Sequence, residues 1–300
     1  MNPRLTRSAI ARIAENRIRE AVEAGKFIDG HANRPFFLYL PFHTVHTPLQ
    51  ANLPTIDHYR QKARPDAPQH NPTYAAMIDS LDENVGRLLR TLEQTGAAKR
   101  TVVIFTSDNG GLLRSTNTNL GLREGKGTAY EGGVRVPLIV RWPGVVKAGT
   151  LCETPVIGAD LYPSVLEMAG TRPETGHIID GASIVPLLRS GGQSRNWHRD
   201  ELFWHYPHYH TQGATPYSAM RRGDWRLIEF QEDGRTELYN LKQDPEEKTN
   251  LATEAPQVSR DLLNRLRTWR EEVGAQAAVP NPDYDPSRAG QRPANTDARE

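Results

Sequence analysis

The chain has 300 residues, with 37 Lys and Arg against 36 Asp and Glu, for a formal net charge of +1. That balance gives no bulk attraction to nucleic acid or to an anionic membrane, so a polyanion-binding module is not expected on charge grounds. A single cysteine, Cys152, excludes an internal disulfide and a cysteine zinc cluster, and no apolar run approaches the roughly 18 residues of a membrane span.

With 37% hydrophobic residues the chain can bury a core, while 24 Gly and 22 Pro predict many loops. The opening "MNPRLTRSAIARIAENR" lacks the apolar stretch of a signal peptide, so the chain as written is expected in the cytoplasm. Residues 5 to 24 place Leu5, Ala9, Ile13, Ile18 and Val22 near helical spacing, with Gly25 as the expected stop. "PFFLYLPF" (35–42) then reads as a strand. Asn71 and Pro72, as cap and first residue, open a helix of about six turns carrying Met77, Ile78, Leu81, Val85, Leu88, Leu89 and Leu92, ended by Gly96. The apolar run Val102–Phe105 in "TVVIFTSDNGG" reads as a strand buried on both faces, and "VPLIVRW" (136–142) as another. "GADLYPSVLEMAG" (158–170) predicts a short helix with Asp160 as cap and Gly170 as stop.

After about residue 200 the texture changes. "ELFWHY", "YSAMRRGD", "WRLIEF" and "TELYNL" are short aromatic or β-branched runs separated by Gly and Asp, which predict a small antiparallel sheet. A helix from about Pro256 follows, with Val258, Leu262, Leu266, Trp269 and Val273 on one face. The expected fold class is therefore α/β. A mostly parallel sheet flanked by helices occupies residues 1–195, an antiparallel sheet with a packed helix 196–274, and an extended or disordered tail 275–300.

Chemistry concentrates where strands end, which is where open α/β sheets collect ligands. His43 and His46 follow the first strand, and Asp108 and Asn109 follow the second. Lys126 lies among glycines in "LREGKGTAYEGGVRVP", with Glu131 and Arg135 before the third. Each has a duller account: Asp-Asn-Gly is common turn chemistry, a lysine between glycines is usually solvated, and Glu131 with Arg135 reads as a structural ion pair. The run is not a nucleotide-binding P-loop, because the pattern G-x-x-x-x-G-K-[ST] fails at Leu120 and Gly127. Taken together, Asp and Asn oxygens suit calcium or magnesium better than zinc. A lysine and a histidine beside such an ion suit the charge that develops in sulfuryl or phosphoryl transfer.

The order and wording of "PFFLYLPFHTVHTPLQ", "YAAMIDSLDENVGRLLRTLEQTG", "TVVIFTSDNGG", "GKGTAYEGGVRVPLIVRWPG", "DLYPSVLEMAG" and "GDWRLIEF…ELYNLKQDPEEKTNLA" resemble the formylglycine-dependent sulfatases of the alkaline-phosphatase superfamily, from about residue 34 to 273. The resemblance implies that Asp108 and Asn109 are two calcium ligands, that His46 lies near the sulfate and the leaving oxygen, and that Lys126 binds sulfate. It implies that "LFWHYPHYH", with His205, His208 and His210, lies near the substrate entrance, against an equal expectation of aromatic packing. It also implies an exported parent, periplasmic or secreted, acting on a sulfated small molecule or glycan. The family's Asp-Asp metal pair, its Cys/Ser-x-Pro-x-Arg signature (whose first residue becomes formylglycine) and its Gly-Lys-x-His stretch find no counterpart here. Cys152, in "LCETPV", does not fit that signature. The reading is a C-terminal portion of a sulfatase whose N-terminal half is missing, inactive on its own. Phosphoester hydrolysis within the superfamily, or a non-catalytic protein that binds sulfated glycans, are the alternatives.

Overall fold

The computed structural model describes residues 7–64, 66–116, 119–194, 196–285 and 287. The chain opens with helix α1 (Arg7–His31). It runs six residues past Gly25, because Ile28, 3% exposed, is buried with Leu92, Phe36 and Leu38. That burial outweighs the ~1 kcal/mol by which an interior glycine disfavours a helix. The buried face is Ala21, Ala24 and Ile28, while Val22, expected to be buried, is 41% exposed. Leu5 lies outside the described residues, as do the side chains of Ala9, Ile13 and Ile18.

The "PFFLYLPF" segment is extended, but it forms no ladder among the described residues. Exposure alternates residue by residue along 35–43. Phe36 and Leu38 pack inward, whereas Phe37 and Tyr39 are 70% and 76% exposed. The expected strand is thus present only as a period-two alternation of exposure, with no ladder partner among the described residues. Helix α2 (Leu53–Lys62), unmarked in the sequence reading, sets Ile56 against Ala76 and Met77 of helix α3 (Pro72–Gln94). Asn71 caps α3 as expected: its side-chain oxygen accepts from the N–H groups of Thr73 and Tyr74, both at 3.1 Å, and its amide donates to the Ser115 carbonyl at 2.9 Å. Ile78, assigned to the buried face, is 47% exposed, and Asn84 takes a buried place instead.

Strands β1 (Val103–Thr106) and β2 (Leu138–Arg141) pair antiparallel, Val103 opposite Arg141 and Thr106 opposite Leu138. The α/β class holds, but this pairing corrects the expected parallel one. A parallel neighbour requires a long crossover, usually a helix of a dozen or so residues. Here the connection is built of glycine turns and the four-residue helices α4 (Leu113–Thr116) and α5 (Glu131–Val134), which let the chain double back. Helix α6 (Leu161–Met168) ends at Gly170, whose φ of +69° stops it as predicted. Asp160 holds the loop before α6 rather than its first turn. Its two oxygens accept the N–H groups of Ile157 and Ala182, both at 2.8 Å, and pair with Arg199. Burial raises the Asp160 pKa, but the Arg199 and backbone donors outweigh it and hold the carboxyl below its ordinary value. Helix α7 (Val185–Arg189) completes this region.

The C-terminal part is the four-stranded antiparallel sheet the sequence predicts: β3 (Glu201–Tyr206), β4 (Tyr217–Arg222), β5 (Trp225–Phe230) and β6 (Thr236–Asn240), in that order. Helix α8 (Pro256–Glu272) covers one face, where Leu262 and Leu266 pack on Met220, Leu227 and Leu238. Trp269 stacks on Phe203 at 4.6 Å. Val273, expected on that face, is the C-cap and is 55% exposed. The other face, with Ala219, Ile228 and Tyr239, is covered by Ala129 and Tyr130. The loop that carries Lys126 is thus part of the sheet's core. Beyond α8, residues 275–285 carry no helix or strand, and 288–300 lie outside the described residues. No helix among the described residues is long and apolar enough to cross a membrane.

Candidate functional site

Two glycine-rich turns lie against each other just beyond β1. A Cβ on Gly110 would sit 1.7 Å from the Gly132 carbonyl oxygen, and one on Gly125 2.3 Å from that of Gly111. Only glycine permits such backbone approach. The turns are stitched by Gly110 N–H to Gly133 O and Lys126 N–H to Gly111 O, both 3.0 Å. The Asn119 amide, which sequence reasoning missed, donates to Gly111 O at 3.0 Å and Glu124 O at 2.9 Å. The backbone of Lys126 is therefore tied to Gly111, two residues beyond Asn109 in the chain.

His46 arrives from the other side. Val45 and Leu49 pack against α2 and α3, which sets the histidine loop. The result is a contact between residues 80 apart in sequence: Lys126 Nζ lies 3.2 Å from His46 Nε2. His46 Nδ1 lies 2.9 Å from the Thr47 carbonyl oxygen. A carbonyl only accepts, so Nδ1 carries the proton, and Nε2 is left to accept from the lysine ammonium. His43 stands beside His46 with ring centroids 5.5 Å apart, and its backbone N–H donates to Glu20 Oε2 at 3.4 Å.

Asp108 is exposed at the strand end, and Asn109, half-buried, accepts the Ser107 hydroxyl on its backbone oxygen at 3.0 Å. Their side-chain oxygens match a hard cation in kind. They do not match in number, since calcium takes about 6–8 oxygens and no cluster of three or more His, Cys, Asp or Glu able to hold a metal occurs among the described residues.

The C-terminal sheet holds this assembly by a buried charge cluster. Arg226, fully buried, reaches Glu131 at 2.6 Å, the Ala129 carbonyl and Glu247 at 3.5 Å, and Glu247 accepts the Glu131 N–H at 2.7 Å. Arg123 donates to Tyr239 OH and to the Glu247 carbonyl, both at 2.8 Å. Glu131 and Arg135, read from sequence as an ion pair, are 3.8 Å apart, and Arg226 is the closer partner. Burial, opposed by Arg226, raises the Glu247 carboxyl to about 7.

The histidine-rich segment divides. His205 is engaged in the sheet, with Nδ1 2.9 Å from Ser218 Oγ and Nε2 2.6 Å from the Gln276 carbonyl. His208 packs edge-on to Tyr206. His210 lies closest to the lysine loop: a Cβ on Gly127, at φ +83°, would meet its Nδ1 at 2.6 Å. The Gln212 N–H donates to that same Nδ1 at 3.1 Å. Between these elements is a cavity of about 210 Å³ lined by Lys126, Gly125, Glu124, Thr128, Leu112 and Gln212. Cys152 is exposed, with a free thiol, and does not line that cavity.

The described residues bring a histidine and a lysine together near the end of β1 in a mixed α/β body, and comparison with known proteins gives the family. The sulfatase family model matches residues 19–171, and the model of the N-sulphoglucosamine sulphohydrolase C-terminal region matches 125–272. The chain belongs to the sulfatase family. It is 40% identical over 269 residues to a sulfatase of Formosa agariphila, covering 83% of this chain and 48% of that protein. Mouse steryl-sulfatase is 30% identical over 280 residues, covering 83% of this chain and 43% of that one. Among solved structures, Ps i-CgsB in complex with k-i-k-neocarrahexaose superposes with a TM-score of 0.73 at 28% identity, covering 87% of this chain and 56% of that one. The chain thus spans about half the length of the curated relatives it matches.

Proposed function

We propose that His46, Lys126, Asp108 and Asn109 form part of a sulfuric ester hydrolase site, with Lys126 holding the sulfate of a monoester and His46 assisting departure of the alcohol. The observation that carries this reading is the 3.2 Å approach of Lys126 Nζ to His46 Nε2, beside a turn that presents hard oxygens. Because the Thr47 carbonyl keeps Nδ1 as a donor, Nε2 is the nitrogen that can gain and release a proton. An anion lodged against Lys126 also lies within reach of Nε2, given the 3.2 Å between the two groups. In a complete site, where a nucleophile takes the sulfuryl group, the Nε2–H would hand its proton to the departing alcohol oxygen as the bond from that oxygen to sulfur breaks.

The complete activity uses calcium and formylglycine, as in the family generally. Asp108 and Asn109 are suited to supply two of the oxygens around that calcium. The remaining ligands and the nucleophile are not supplied by the residues present, so this chain by itself binds sulfate without hydrolysing its esters. The phosphoester alternative is less favoured, because the matching family models are those of sulfatases.

Titration of the chain with sodium sulfate by calorimetry tests the reading. Lys126→Ala is expected to weaken binding at least tenfold, and unchanged affinity overturns the anion-site assignment. Hydrolysis of 4-nitrophenyl sulfate by the pure chain, abolished in Asp108→Ala, overturns the claim that the chain only binds.

A further inference from the structure

One side chain outside the His46–Lys126 pair touches both glycine turns. The Asn119 Nδ2 group lies 3.0 Å from Gly111 O, 2.9 Å from Glu124 O and 3.4 Å from Gly132 O. Carbonyls accept and never donate, so the NH2 end of the amide is the end that faces them. All three belong to the joint that carries the lysine. Gly111 O also accepts the Lys126 N–H at 3.0 Å, Glu124 stands two residues before Lys126, and Gly132 O is the atom a Cβ on Gly110 would strike. The amide occupies room that two absent side chains leave. A Cβ on Gly111 would meet Asn119 Oδ1 at 2.6 Å, and one on Gly125 would meet its Nδ2 at 2.7 Å.

A second observation points to the same side chain. Glu124 has φ +56°, in the left-handed region that a residue with a Cβ rarely occupies. Such a backbone persists only where its surroundings hold it. Asn119 is the sole donor to the Glu124 carbonyl among the described residues, while the Gly132 N–H holds the preceding carbonyl, that of Arg123, at 2.9 Å. Asn119 is anchored in turn, its own carbonyl accepting the Leu122 N–H at 2.8 Å. Resting on the sulfate-binding reading of Lys126, we infer that Asn119 is a positioning residue for that lysine, its amide fixing the backbone from which Lys126 Nζ reaches His46 Nε2. It acts through the lysine and not on the ester. Without its two N–H donors the left-handed turn at Glu124 relaxes, and the root of the lysine side chain shifts relative to the end of β1.

The test compares the full native chain with Asn119→Leu, which keeps the branched shape and removes both donors, and with Asn119→Ala, which removes shape and donors alike. With the histidine ring nitrogens isotopically labelled, the NMR resonance of His46 Nε2 reports the lysine contact in the absence of any sulfate, and Lys126→Ala gives its value when the contact is lost. His205, held by Ser218 and Gln276, reports the C-terminal sheet in the same sample. Calorimetry with sodium sulfate supplies the affinity. Both Asn119 variants are expected to move His46 most of the way to its Lys126→Ala position and to leave His205 in place. Sulfate binding should weaken roughly fivefold, as loss of a hydrogen bond of about 1 kcal/mol implies. Native values in Asn119→Leu overturn the inference, since the side chain then only fills space. A His205 shift as large as that of His46 overturns it too, because Asn119 then holds the fold at large. So does a His46 resonance that Lys126→Ala leaves in place, which shows that there is no contact to position. His46 displaced in both Asn119 variants, with sulfate affinity native-like even in Lys126→Ala, removes the sulfate reading and leaves the positioning role. His46 unmoved in both, with sulfate binding lost in Lys126→Ala, removes the positioning role alone.

Discussion

The two halves of the molecule differ in how they close. In the C-terminal half every strand of the sheet is paired, α8 covers one face and Ala129 with Tyr130 covers the other, so Leu227, Ile228, Leu238 and Leu266 are wholly buried. In the N-terminal half, among the described residues, β1 pairs with β2 alone, the 35–42 segment alternates in exposure without joining a ladder, and Phe37, Tyr39 and Ile139 (61% exposed) face outward. The lesson is where the site's rigidity comes from. Lys126 belongs by sequence to the open half, but its loop is packed into the closed one. His46 belongs wholly to the open half, and it meets Lys126 across the seam.

Changes at the tie between the halves should have the largest effect. Arg226→Met leaves Glu131 and Glu247 buried without their cation, and removal of one partner from such a cluster destabilises by roughly 3–5 kcal/mol. Urea unfolding measures this. Adding Glu131→Gln and Glu247→Gln to Arg226→Met should restore most of the loss, and a single-variant effect below about 1 kcal/mol would show that the tie is apolar. Leu238→Ala comes next, at about 3 kcal/mol, because a fully buried leucine leaves a cavity that a sheet covered on both sides cannot close. Leu38→Ala, at a half-buried position in the open half, should lose clearly less, and equal losses would erase the contrast.

Glu247 sharpens the comparison through pH. Its carboxyl is raised to about 7 by burial, above the ordinary value of 4.5 that it regains on unfolding. Between those values the folded chain holds a proton that the unfolded chain has released. This group's contribution therefore favours folding most below about pH 4.5 and declines as pH rises towards 7. Glu247→Gln should remove that slope, flattening the stability profile by no more than about 2–3 kcal/mol across the window. Parallel profiles for native chain and variant would place the proton elsewhere in the cluster.

Legibility in the sequence followed the same division. The C-terminal strands were readable because each carries its own turn signals and its pairing is between neighbours, as Tyr217–Arg222 with Trp225–Phe230 shows. Asn71, Pro72 and Gly170 were readable because caps and stops act within a few residues. The antiparallel return of β2 was not, since it depends on Gly110, Gly132 and Gly125 packing backbone on backbone, and a glycine-rich run does not state its partner. At the site, His46, Lys126, Asp108 and Asn109 stood out by residue type at strand ends, and His46 and Lys126 do meet. Asn119 and Gln212 carried no signal: one is an amide in a loop and the other follows three histidines. His205 had the stronger sequence signal but is tied to Ser218 and Gln276. The Arg226–Glu131–Glu247 cluster joins residues more than 90 positions apart, which periodicity cannot reveal.

The smallest expected effect tests the open half directly. Phe37 and Tyr39 stand on the outward side of the extended segment, 70% and 76% exposed, so serine at either position removes almost no buried area. Surface changes of this kind stay within about 0.5 kcal/mol, and Phe37→Ser with Tyr39→Ser should leave the urea midpoint of this chain unmoved. Their inward neighbours Phe36 and Leu38 pack with Ile28 and Leu92, so serine at those positions should register clearly. The alternation is then an energetic alternation as well as a geometric one, as in a strand buried on one face. If Phe37→Ser costs as much as Phe36→Ser, the outward face is covered in solution, and the two halves are equally closed. If only the inward pair matters, the unpaired edge is real. The rigidity of His46 then depends on Val45 and Leu49 packing against α2 and α3, with no support from a sheet on that side.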